Sequence, residues 1–181
     1  MSETDYFSLG LNGTATVLHS SKLPQGTTKE QAIKLLLHDH EFFLRCDPHL
    51  VKFESIEPEK DQTSTLPETL QKTDEMKCYK VTDLVHTLPA GLWDSNVVST
   101  YEMTNIADGL FVRIKSPMSV VMDTIWTIRA GEAEGSVELV EDVSINCSKL
   151  LVGTVKGLCE SGWSKIHAKM IERLDTEVTK Q

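Results

Sequence analysis

Residues Leu35 to His49 read LLLHDHEFFLRCDPH, and the reading of this stretch decides the fold. Three histidines, one cysteine, two aspartates and one glutamate fall within it. Each can ligate a metal or move a proton. His38 and His40, however, stand two apart on a helix, so they point about 200° apart around its axis. A helical zinc pair needs positions i and i+4. His49 lies beyond Pro48, on another element, because the residue before a proline avoids the helical region. No metal site is expected. The segment reads instead as a corner where two short helices hand the chain to a strand.

The flanking sequence extends that reading. TTKEQAIKLLLHDH opens with Thr27 or Thr28 as a cap and carries Ile33, Leu36 and Leu37 at helical spacing. EFFLRCD forms a second short helix, ended by Pro48, and HLVKFESIE alternates as a strand does. Before the corner, TATVLHSSKL reads as a first strand. After it come MKCYKVTDLVHTL, SNVVSTYEMTN, GLFVRIKS, SVVMDTIWTIRA and SVELVEDVSINC, all with a period near two. Turn signals separate them at Pro89-Ala90-Gly91, Asp108-Gly109, Ser116-Pro117 and Gly131 to Gly135. Connections this short predict an antiparallel meander. From Ser148 to Glu177 the period becomes helical, with Leu151, Val155, Leu158, Ile166, Met170 and Leu174 on one face. The expected fold is α+β: a curled antiparallel sheet of six to seven strands, two short N-terminal helices and a long C-terminal helix over the concave face. One helix in a wide curl leaves a cavity.

Composition bounds the function. The chain has 181 residues, enough for one domain with a core, and residues 1–181 are read as one. Residues 1–13 are expected to be flexible and residues 57–75, rich in Glu, Lys, Thr and Pro, to form a mobile loop. A formal net charge of −9 argues against nucleic acid as a partner and against charge-driven membrane docking. No run approaches the roughly 20 apolar residues of a membrane span, so no stable membrane insertion is expected. The N-terminus lacks a secretory pattern, which points to a cytoplasmic protein. Cys46, Cys78, Cys147 and Cys159 fit no zinc spacing and read as small apolar residues. Nothing in the sequence calls for a cofactor, and a homodimer is left open.

The order of elements resembles the START-like, birch-allergen-like helix-grip superfamily, which includes polyketide cyclases and lipid-transfer proteins. AIKLLLHDHEFFLRCDPHLVKFESI carries the resemblance through Asp39 at a helix end, the short helix from Phe42 to Cys46, and Pro48 before the next strand. GLWDSNVVSTYEMTNIADGLFVRIKSPMSVVMDTIWTI followed by VELVEDVSINCSKLLVGTVKGL is similar to a group of uncharacterised fungal proteins of that fold. The resemblance implies a ligand cavity. It implies no particular catalytic residue, since fold does not dictate chemistry.

Candidate site residues follow from the strand faces. Alternation puts Glu141 on an apolar face between Leu139 and Val143, although a bulge in VEDV would turn it outward. Turned inward, it would titrate high and serve as a general acid or base. Tyr101 and Met103 share one face, Val112 and Ile114 another, and Met122 and Trp126 a third, all suited to an apolar ligand. Arg113 is out of phase and reads as solvated, while Asp123 is ambiguous. His38, or His40, would look into the cavity mouth. Gly153 and Gly157 are i and i+4 on the last helix and would bare backbone to the sheet or to a ligand, beside Leu158. Ser164 and His167, three apart, read as a surface hydrogen bond. Glu141, Tyr101 and His38 are the candidate catalytic residues. Trp126, Met122, Met103, Val112, Ile114, Val143, Gly153, Gly157 and Leu158 are the candidate substrate contacts. No G-x-S-x-G, P-loop or dinucleotide pattern is present.

Two functions fit this sequence. One is a cofactor-independent cyclase, isomerase or pericyclase acting on a hydrophobic small molecule, for example a Diels-Alder-like ring closure in fungal polyketide or terpenoid secondary metabolism. The other is a non-catalytic carrier of lipids or related ligands. An inward carboxylate or phenol would favour the catalyst.

Overall fold

The computed structural model describes residues 11–58, 66–86 and 94–178. Its seven strands are β1 (Asn12–Lys22), β2 (Leu50–Ile56), β3 (Lys77–His86), β4 (Asp94–Ile106), β5 (Gly109–Ser116), β6 (Val120–Ala130) and β7 (Val137–Ser148). They form one antiparallel sheet in the order β1-β7-β6-β5-β4-β3-β2. From β2 to β7 each strand pairs with its neighbour in sequence, and β1 closes the order against β7. The long helix α3 (Lys149–Val178) crosses the inner face and packs chiefly on β1 and β7. Ser148 starts it, accepting the Leu150 N–H at 3.2 Å.

The corner is built as its residues dictate. Thr28 caps helix α1 (Lys29–Ala32) by accepting the Gln31 N–H at 3.1 Å. The backbone then widens into one π turn, Ile33–Leu37, closed by His38 N–H to Ile33 O at 2.9 Å. The expected first helix therefore stops before His38. Asp39 breaks the path and caps helix α2 (His40–Arg45), accepting the Phe42 N–H at 3.1 Å. Ile33, Leu36 and Leu37 from the turn and Phe43 and Leu44 from α2 enter the main core. The helix-grip architecture expected from the sequence is the one present.

Two boundaries differ from expectation. β1 begins at Asn12, inside the N-terminal stretch read as flexible. The second half of residues 57–75 docks on the end of β4: Thr73 N–H bonds Asn105 O at 2.9 Å, and Lys72 bridges to Ile106. The Pro89-Ala90-Gly91 turn signal lies outside the described residues.

Candidate functional site

Strand register decides which side chains meet beneath α3. His19 on β1 pairs with Glu141 on β7, Glu141 with Trp126 on β6, Trp126 with Leu110 on β5, and Leu110 with Asn105 on β4. These five residues make one row across the inner face, and all are buried. Four residues further along β7, about 13 Å at the strand rise, a second row runs through Ala15, Ile145, Met122, Ile114 and Tyr101. Here Ala15, Met122, Ile114 and Tyr101 are partly buried and pack against the core.

The deep row holds the densest chemistry. No bulge interrupts β7, and Glu141 faces inward at 8 % exposure. His19 Nδ1 donates to Glu141 Oε2 at 2.9 Å. From α3, His167 points down at the same oxygen, its Nε2 3.8 Å away, while its Nδ1 is 2.8 Å from Ser21 Oγ. Trp163, one helical turn earlier, stacks on His19 with ring centroids 4.6 Å apart and meets His167 edge-on. Trp126 tilts against His167 and takes the edge of Phe43.

Burial governs the electrostatics. It pushes the Glu141 carboxyl up, with the His19 hydrogen bond and charge pulling partly back. It pushes the His167 imidazole down to about 4, and His19 adds to that fall. His167 is 1 % exposed, yet its Nε2 has no hydrogen-bond partner. A carboxyl raised by burial and set between two imidazoles can serve as a proton donor or acceptor. His167 is thus a core residue, not the surface partner of Ser164.

A second polar group lies at the more open row. Tyr101 donates its hydroxyl to Asp83 on β3. Burial, followed by the neighbouring Asp47, pushes Asp83 up to about 6. Burial also raises Tyr101 well above the usual phenol range. Cys159 on α3 feels both ends. Its thiol is pushed up to about 11, by burial first, then by Glu141, with Asp47 adding less. Its Sγ is 3.9 Å from Met122 Sδ.

The other candidates fall elsewhere. His38, a catalytic candidate at the expected cavity mouth, is tied to the β4–β5 hairpin, its Nε2–H donating to Gly109 O at 2.9 Å. His40 is buried in a separate network: it accepts from Tyr79 at 3.3 Å and donates to Asn105 at 2.8 Å, which in turn donates to Asp74 at 2.9 Å. Burial lowers its pKa, with the Asn105 hydrogen bond pulling partly back. Met103, Val112 and Val143 are fully packed core, Trp126 is 3 % exposed, and Ile114 and Met122 line the more open row. Gly153 and Gly157 lie on the exposed side of α3, where an added Cβ would meet nothing within 4 Å, and Leu158 is 41 % exposed. The glycine strip therefore faces neither sheet nor ligand. The inward face of this half runs through Leu151, Val152, Val155 and Cys159; of the residues expected there, only Leu158 turns outward. Arg113 is not merely solvated; it makes a two-pronged ion pair with Asp123 at 2.7 Å on the outer face.

Among the described residues no group of three His, Cys, Asp or Glu side chains is arranged to hold a metal ion. No described helix is long and apolar enough to cross a membrane.

Residues 12–176 match a family described as a domain of unknown function, DUF7053. The chain belongs to that family. No curated protein matches it. Among solved structures, the crystal structure of Ara h 8.0201 aligns with a TM-score of 0.54 over 88 % of this chain and 99 % of that one, at 14 % identity. At that identity the likeness shows the fold alone, and it is the helix-grip fold.

Proposed function

We propose that this DUF7053 chain is a cofactor-independent catalyst acting on a hydrophobic small molecule held between the sheet and α3. One observation carries the reading: Glu141 lies inward, bonded to His19 and facing His167. Burying a carboxylate with two imidazoles costs stability that well-packed apolar residues would not. A passive apolar container has no use for it. Glu141 would act as the general acid or base, with His19 orienting it and supporting its charge. Trp126 and Met122 would shape the apolar wall. Cyclisation, isomerisation and pericyclic ring closure suit such a site, because orientation and one or two directed hydrogen bonds supply much of their acceleration. The resemblance of the sequence to uncharacterised fungal proteins of this fold favours polyketide or terpenoid secondary metabolism as the source of substrate.

A second reading, non-catalytic carriage of hydrophobic ligands, draws on the partly buried apolar row at Ala15, Met122 and Ile114. Mass spectrometry of ligand co-purified with the protein, followed by incubation with the matching precursors, separates the two. Conversion that disappears in Glu141→Gln supports the catalyst. Tight binding with precursors recovered unchanged establishes the carrier.

A further inference from the structure

β1 and β2 are the two edges of the sheet. An edge strand presents a row of unpaired N–H and C=O groups, and folded proteins blunt such rows with charges, proline, bulges or short length. β2 is blunted. It has seven residues, its register on β3 shifts between Leu50 and Lys52, Lys52 and Glu54 are exposed, and Pro58 follows closely. β1 carries none of these devices. It runs for eleven residues and pairs with Ser148 to Glu138 of β7 without a shift. From Asn12 to Ser21 it holds no Asp, Glu, Lys, Arg or Pro. Among the described residues no backbone hydrogen bond reaches its outer edge. Thr14, Thr16, Leu18 and Ser20 on its outer face are exposed, Leu18 at 66 %.

We infer that the β1 edge is the interface of a homodimer, in which β1 pairs antiparallel with β1 of a second copy and joins the two seven-stranded sheets into one. Charge and symmetry both select a second copy as the occupant. Two chains of net charge −9 repel each other, so they meet most readily along a strip that carries no charge. The run from Asn12 to Ser21 is such a strip, and the β2 edge, with Lys52 and Glu54, is not. An antiparallel edge is also self-complementary about a two-fold axis, so one strand supplies both halves of a closed contact. Full overlap of Asn12–Lys22 centres on Val17, opposite Val17 of the second copy. It sets Thr16 opposite Leu18 and Thr14 opposite Ser20, each twice, and so covers the exposed leucine of the strand. Such a seam makes about ten backbone hydrogen bonds. Eleven residues a side is fewer than the roughly 20–30 of a standard interface, so the dimer should be weak, with a Kd on the order of 10–100 µM. The contact is independent of the chemistry proposed above.

Sedimentation velocity of the full chain from about 1 µM to about 1 mM should show a monomer passing into a dimer. Hydrogen exchange should slow with concentration in β1 and stay unchanged in β2. Thr16→Lys/Leu18→Lys sets lysine against lysine across the seam and should weaken the dimer at least about tenfold. Thr16→Asp/Leu18→Asp should do the same. An equimolar mixture of the two variants should dimerise again, which neither a misfolded variant nor a contact elsewhere on the surface would produce. A monomer throughout the range would overturn the inference. A dimer that both variants leave intact, slowed exchange confined to segments other than β1, or a mixture that stays monomeric would each overturn it as well.

Discussion

His167 Nε2 faces Glu141 Oε2 across 3.8 Å and makes no hydrogen bond. The pair is close enough to feel its charges and too far apart to share a proton directly. Burial holds the imidazole near 4 against its ordinary 6.5. Between those values the unfolded chain binds more protons, so stability rises with pH there. The contribution of neutral His167 is complete above 6.5 and is lost as pH falls through 4. A shift of that size is on the order of 3 kcal/mol. Asp83, raised from 3.8 to about 6, works in the opposite sense: its contribution is full below 3.8 and lost as pH rises through 6. Thermal melts of the native protein and His167→Gln across pH 4–7 isolate the histidine, and the variant should lose less stability on acidification. Equal pH dependence in both would show that His167 is not held neutral by the fold.

Glu141→Gln keeps the size of the side chain and the contact with His19 but removes the exchangeable proton. Turnover of the native substrate should fall by about 10²- to 10⁴-fold, the usual worth of a general acid or base. Ligand affinity, read by dye displacement, should change little. Loss of binding with unaltered turnover per bound ligand would assign Glu141 to recognition instead.

Gly153 and Gly157 occupy the middle of the first half of α3 with nothing within 4 Å of an added Cβ. Alanine at either position should stabilise the protein by about 0.5–1 kcal/mol, since glycine carries the larger unfolded-state entropy. A rise in Tm for each variant and a near-additive double variant check this. A fall would mean that the bare backbone is in use.

Gly109 behaves in the opposite way. A Cβ there would lie 1.9 Å from Trp126 O, and backbone cannot yield as a side chain can. Gly109 O also accepts the His38 bond. Gly109→Ala should cost about 2–3 kcal/mol through forced displacement, measured by urea denaturation, while His38→Ala should cost no more than about 1–2 kcal/mol for one hydrogen bond.

Much of this architecture was legible because its signals are periodic. Alternation through Leu139, Glu141 and Val143 put the carboxylate on the apolar face, and β7 runs without a bulge. The same period would have flagged His19, between Val17 and Ser21, and Asp83, between Val81 and Val85. Neither was singled out, because a lone polar residue in a strand has meaning only once the facing strand is known. His167 was hidden by its neighbour: Ser164, three residues back, offered a local partner, whereas the actual one, Ser21, is 146 residues away. On α3 the helical period placed Leu151 and Val155 inward, where they pack, while Leu158 turns outward and Cys159 takes the inward place beside it.

The pairing of His19 with Glu141 also bears on how the chain finds its fold. β1 is an edge strand separated from β7 by more than a hundred residues of sequence, and it must choose one alignment among several along the ladder. A slip by one position would set Leu18 or Ser20 opposite Glu141 and turn His19 out to solvent. The carboxylate would then be trapped under α3 with no imidazole beside it, and Leu18, now 66 % exposed, would go in its place. Only the native alignment satisfies both residues, so the pair that we assign to chemistry also discriminates against misfolded sheets.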